Sequence, residues 1–119
     1  MKKLIFIFFL ICNIGVAQTI QTKATSYFYF YKDSTKNIKG DCYLDVSIST
    51  DTVNISVEPP MILRILQSDP IQGFLDGKLI NMWCRDVDGN GCIVKLFISP
   101  SQNEMQVVYD NIILSFILE

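Results

Sequence analysis

Residues 84–92 read Cys-Arg-Asp-Val-Asp-Gly-Asn-Gly-Cys and hold the most distinctive chemistry in the chain. Asp86, Asp88 and Asn90 are oxygen donors at alternate positions, and Gly91 follows them. A helix–loop–helix calcium site begins this way: positions 1, 3 and 5 supply oxygens, and a glycine at position 6 makes the sharp turn. Such a loop also needs a bidentate glutamate at position 12, where this chain has Phe97. The residues after the loop, IVKLFIS, suit a strand and not an amphipathic helix. The helix–loop–helix site is therefore excluded. Two readings remain: a plain hairpin turn, or a turn in which Asp86, Asp88 and Asn90 also hold calcium weakly, as extracellular modules do at millimolar calcium.

A hairpin accounts for more of the pattern. A three-residue loop, Val87-Asp88-Gly89, would be a type I turn followed by a left-handed Gly89. Cys84 then faces Cys92, Met82 faces Val94, and Ile80 faces Leu96. Directly opposed side chains have Cβ atoms about 4.5–5.5 Å apart, so a disulfide needs only slight closure. In an exported chain the expected state is a Cys84–Cys92 disulfide; the alternative is two reduced, buried thiols. Cys42 shares the apolar face of its strand with Leu44 and Val46 and reads as an inert core thiol. Redox catalysis is disfavoured, because there is no Cys-x-x-Cys and no histidine to lower a thiol pKa. With no histidine, the Ser-His-Asp and Cys-His nucleophile systems and the commonest zinc ligand are also missing. Nothing in the spacing of the carboxylates singles out a pair for acid–base work. No enzyme is expected, and no cofactor beyond the candidate calcium.

The segment TSYFYFY puts Tyr27, Tyr29 and Tyr31 on one face and Phe28 and Phe30 on the other. Ordinary packing would bury the phenylalanines and leave the hydroxyls at the surface. Trp83 lies opposite Met82 and Cys84 on its strand. Convergence of Tyr27, Tyr29, Tyr31 and Trp83 would make an aromatic ligand platform.

The positioning elements follow from periodicity. Apolar residues alternate with polar ones almost throughout, and no stretch keeps a helical period. Folding at Thr50-Asp51 sets Ile48 against Val53, Val46 against Ile55 and Leu44 against Val57. Folding at Asp110-Asn111 sets Val107 against Leu114 and Met105 against Phe116. Asp76-Gly77 reads as a two-residue hairpin turn. Pro59-Pro60 ends one strand, since proline lacks the ladder amide. About eight short strands joined by turns imply an all-β antiparallel meander, closed as a small barrel or a two-layer sandwich.

The chain has 119 residues and opens MKKLIFIFFLICNIGVAQT. Two lysines, an apolar run too short for a bilayer, and Gly15 and Ala17 at a cleavage site form a secretory leader over 1–17. Residues 18–119 are then one β domain without a membrane span, in the periplasm or outside the cell. The leader removes two of 10 basic residues and none of the 12 acidic ones. The remaining acidic domain has no basic footprint for nucleic acid. The leader ending Val-Ala-Gln, together with the Cys84-Arg-Asp86-x-Asp-Gly-x-x-Cys92 hairpin, resembles small exported all-β bacterial proteins of unknown function. That resemblance implies the architecture and brings no site residues. The expected function is a non-enzymatic exported module that binds a ligand or protein. Its alternatives are a lipocalin-like barrel for an apolar ligand and a calcium-stabilised structural or adhesive module. Partner and oligomeric state are not legible.

Overall fold

A computed structural model describes residues 20–32, 37–57, 59–74 and 76–119. The leader expected over 1–17 lies outside the described residues. The described residues form nine strands: β1 (Ile20–Tyr31), β2 (Asn37–Ile48), β3 (Thr52–Ile55), β4 (Met61–Ser68), β5 (Gln72–Phe74), β6 (Gly77–Arg85), β7 (Gly91–Ile98), β8 (Asn103–Val108) and β9 (Ile112–Leu118). They run antiparallel in the order β4-β3-β2-β1-β9-β8-β7-β6-β5, and β4 also pairs with β6. That extra pairing closes eight strands into a barrel, with β5 as an added strand. One edge of β6 is shared: β4 takes residues 82–85, and β5 takes residues 77–79. The choice between barrel and sandwich is settled as a barrel.

The hairpin registers match the alternation. Ile48 pairs with Val53 and Val46 with Ile55; Val107 pairs with Leu114 and Met105 with Phe116. The β2–β3 turn lacks the Asn-Gly usual in tight hairpins, and a serine takes over its role. Ser49 Oγ accepts the amides of Asp51 (3.2 Å) and Thr52 (3.1 Å). Ser99 does the same at the β7–β8 turn, accepting the Gln102 amide at 3.1 Å. Short hydroxyls that bond to nearby amides are good turn formers for this reason. β3 ends at Ile55, so the expected Leu44–Val57 pair is not part of the ladder.

The inward side chains fill the barrel. Phe116, Ile55, Leu63, Leu96, Met105, Val46, Val53, Val94 and Val107 are almost wholly inaccessible to solvent. An eight-stranded barrel is just wide enough for its side chains to fill, and here the buried aliphatics do so.

Two sequence expectations are corrected. In β1 the inward residues are Ile20, Thr22 and Ala24, and then the pattern changes phase. A bulge between Ala24 and Ser26 inserts Thr25 relative to β9. One extra residue in a period-two element exchanges its faces. Tyr27 and Tyr29 consequently pack against the core, while Phe28 and Phe30 are exposed. The second correction is at Asp76-Gly77. Gly77 is already in β6, opposite Phe74, so the turn lies one residue earlier than the Asp-Gly pair suggests.

Candidate functional site

The 86–90 loop adopts the expected hairpin. Arg85 pairs with Gly91 and Cys84 with Cys92. Gly89 has a φ of 87°, and its amide reaches the Asp86 carbonyl at 3.1 Å, closing the type I turn. Asp86 is the internal brace of this loop. Its Oδ1 accepts the amides of Asp88 (3.0 Å) and Asn90 (2.9 Å), and its Oδ2 accepts the Tyr109 hydroxyl at 3.0 Å. One carboxylate therefore ties the β6–β7 turn to the end of β8. Desolvation pulls its pKa upward, but the hydrogen bonds from Asn90, Tyr109 and Asp88 outweigh this and hold it below the usual carboxylate range. The Tyr109 hydroxyl is correspondingly pushed up, by burial first and then by Asp86.

This geometry bears on the calcium reading. Both oxygens of Asp86 are engaged inside the fold, so a cation there would compete with three hydrogen bonds. Among the described residues, no group of three or more acidic, cysteine or histidine side chains is placed to hold a metal.

The brace gives the first expected result. Asp86→Asn keeps the size but loses the charge behind three hydrogen bonds. It should destabilise the chain by about 2 kcal/mol at pH 7, a discounted figure because the loop is partly solvated. Asp86 has a depressed folded-state pKa, so its stabilisation is present above the unfolded value, about 3.9. It disappears as pH falls through the lower folded value. Thermal melts of wild type and Asp86→Asn should therefore converge as the buffer is taken from neutral pH to about 2. A gap that stays constant with pH would show that the carboxylate charge is not what braces the loop.

Cys84 and Cys92 are buried and directly opposed, as the register requires, but both are free thiols, as is the half-buried Cys42. The disulfide expected from sequence is thus a juxtaposition without a bond in this structure. Burial, with Cys92 alongside, pushes Cys84 up to about 12, and burial also raises Cys92. At neutral pH both are protonated, and a neutral thiol is a poor nucleophile. The Cys42 thiol contacts the Ala24 carbonyl at 3.4 Å across the bulge.

The aromatic platform does not assemble as expected. The Tyr27 and Tyr29 rings lie 5.1 Å apart, tilted at 48°, and Tyr29 meets the buried Phe116 edge-on at 6.0 Å. Tyr31 follows them in the same alternation, opposite Ile112. Trp83 faces out and is 45% exposed. The tyrosines and the tryptophan therefore occupy opposite faces of the barrel wall.

A different exterior set comes together. The registers align Trp83 with Ile93, Ile93 with Val108, Val108 with Ile113, and Ile113 with Phe30. These five side chains form one outward row across β6, β7, β8, β9 and β1. Both ends of the row are open, since Phe30 is 42% exposed. With neighbouring strands about 4.8 Å apart, the row follows the curved wall for about 19 Å, half-way round the eight-stranded barrel. The next outward row is polar over most of its length: Asn81, Lys95, Gln106, Ser115 and Phe28. Glu104 binds this polar row to the wall, accepting Ser115 Oγ at 2.6 Å and Gln106 Nε2 at 3.0 Å. Beside it, an open groove of about 470 Å³ is bordered by Phe28, Ser26, Ser115, Ile117, Lys39 and Asp41.

Sequence alternation could identify the outward residues of each strand. It could not align them across strands, because the β1–β9 register and the phase change at Thr25 are set by tertiary pairing. No protein family, curated protein or solved structure matches this chain.

Proposed function

We propose that this chain is an exported, non-catalytic binding barrel whose partner is a protein docked on the outer wall. The observation that carries this reading is the row Trp83–Ile93–Val108–Ile113–Phe30, an uncharged exterior stripe about 19 Å long with a mostly polar row beside it. Interface cores are depleted of charge and enriched in tryptophan and phenylalanine, and their rims are polar. The ends of the row, Trp83 and Phe30, are exposed and Ile93, Val108 and Ile113 between them are half-buried; apolar surface that is continuous across several strands marks interaction sites on small proteins. The filled interior directs binding to the outside, because Phe116, Leu63, Leu96 and Met105 already occupy the barrel. A non-catalytic role is supported by the absence of histidine and by the carboxylates that hold structural posts: Asp86 in its turn, Glu104 on Ser115 and Gln106, and Asp45 on Lys23. The leader of residues 1–17 supports export.

The test places a photo-crosslinking amino acid at position 83 in the native host, with Asn54 on β3, in the half of the barrel that the row leaves out, as the control. A discrete adduct from position 83 and none from position 54 is expected. The released protein should begin at Gln18 by mass. Equal labelling at both positions, or none at 83, overturns the docking reading; an uncleaved chain overturns export.

A further inference from the structure

The barrel wall is incomplete beside β2. β3 pairs with β2 only over Val46–Ile48, with two further bonds at Asp45: the Ser56 amide donates to its carbonyl, and its amide donates to Ser56 Oγ. Among the described residues, Asn37–Asp41 and Leu44 have a ladder partner on the β1 side alone, and Cys42 and Tyr43 lie in the irregularity between them.

The direction of the free backbone groups follows from bonds on the far side of β1. Lys32 donates to the Asn111 carbonyl, so from Ser26 onward the even residues of β1 face β9. Tyr27 and Tyr29 therefore face β2, and their partners Gly40 and Ile38 face back to β1. The alternate residues Lys39 and Asp41 point their N–H and C=O groups out of the open edge. Their side chains are exposed.

We infer that two copies of this chain pair through this edge, β2 against β2, about a twofold axis at Gly40. In that register Lys39 lies directly opposite Asp41 of the second copy, and Asp41 lies opposite Lys39. Both pairs are of the type that exchanges two backbone hydrogen bonds. Opposite charges face each other twice, because the contact is isologous. Gly40 meets Gly40 at the axis, the close pair of the ladder; the place of each missing side chain is taken by the Tyr27 ring of the same chain. Sliding the register by two residues sets Lys39 against Lys39 or Asp41 against Asp41. Sliding it by one points the amides the wrong way and exchanges the faces. A lone lysine on an edge strand repels a second edge; the aspartate two residues on gives this lysine a partner in one register only. No proline interrupts Asn37–Leu44. The irregularity of the ladder at Cys42–Tyr43 limits the contact to a short segment.

Sedimentation of the purified chain tests this without any ligand, so its outcome is independent of the crosslinking at Trp83. A short interface implies a weak dimer, with Kd on the order of 10–100 μM. Lys39→Asp and Asp41→Lys should each raise Kd by at least about tenfold, since each places like charges opposite one another at both symmetric positions. An equimolar mixture of the two variants should restore association, because each then supplies what the other lacks. Both substitutions are on exposed side chains, and circular dichroism checks that the barrel is retained. A wild-type chain that stays monomeric to about 0.5 mM overturns the inference, as does a mixture of variants that fails to associate.

Discussion

Phe116→Ala is expected to lower the unfolding free energy by about 3–5 kcal/mol, the range for emptying a fully buried aromatic site. Phe116 has no measurable exposure. It lies opposite Met105 on β8 and Tyr27 on β1, and the Tyr29 ring meets it edge-on. It therefore packs where the first and last strands of the barrel, β1 and β9, meet. A domain of this size has about 5–15 kcal/mol in total, so the substitution should remove a large share of it. Collapse into the void is limited, because the neighbouring inward positions are held by ladders on both sides of β9. Ser115→Ala, one residue away and facing outward, loses only the hydroxyl bond to Glu104 and should cost about 1 kcal/mol or less. Denaturant midpoints for the two variants make the comparison. Equal losses would mean that the barrel interior is not the main source of stability.

Most of this architecture is legible in the alternation of the chain. Hairpins close in sequence, so Val46 and Ile55, Met105 and Phe116, and Cys84 and Cys92 could be paired by folding the pattern at its turns. The β1–β9 pairing has no such local signal, because its strands are the first and last of the barrel. The aromatic segment failed for a related reason. Tyr and Phe are both good strand residues, so TSYFYFY does not declare which face is inside. The decision is made upstream, by Thr25 bulging out of register with β9, and it sends the tyrosines in and the phenylalanines out. The candidate docking row could not be read in advance, because it depends on that same phase change to bring Phe30 into line with Trp83. The Asp86 loop was legible as a turn, while the use of its carboxylate was not. Tyr109 lies 23 positions away in sequence, and only the closed barrel brings its hydroxyl to Asp86.

Glycine placement supplies the second large effect. Gly77→Ala should destabilise the chain by about 2–4 kcal/mol, at or above the upper end for overpacking a rigid site. A Cβ at Gly77 would sit 2.2 Å from the Ile98 carbonyl oxygen and 3.1 Å from its carbon. That oxygen belongs to the backbone of β7, whose neighbour Lys78–Ile98 is a ladder pair, so it cannot swing aside as a side-chain tip would. The main chains approach this closely where the start of β6 meets the end of β7 and Ser99. The same reasoning explains why Asp76-Gly77 misleads as a turn signal. The glycine is required by the close approach of another strand and not by a left-handed φ, which is found at Gly89. Gly73 on β5 provides the control. A Cβ there meets nothing within 4 Å, so Gly73→Ala should be neutral within about 0.5 kcal/mol or slightly stabilising through the unfolded chain. The two substitutions are chemically identical and four residues apart. If urea midpoints show them to be equivalent, close packing of β6 against the end of β7 is not what the glycine serves; if Gly77→Ala alone falls, the approach of β6 to the end of β7 depends on a single missing methyl group.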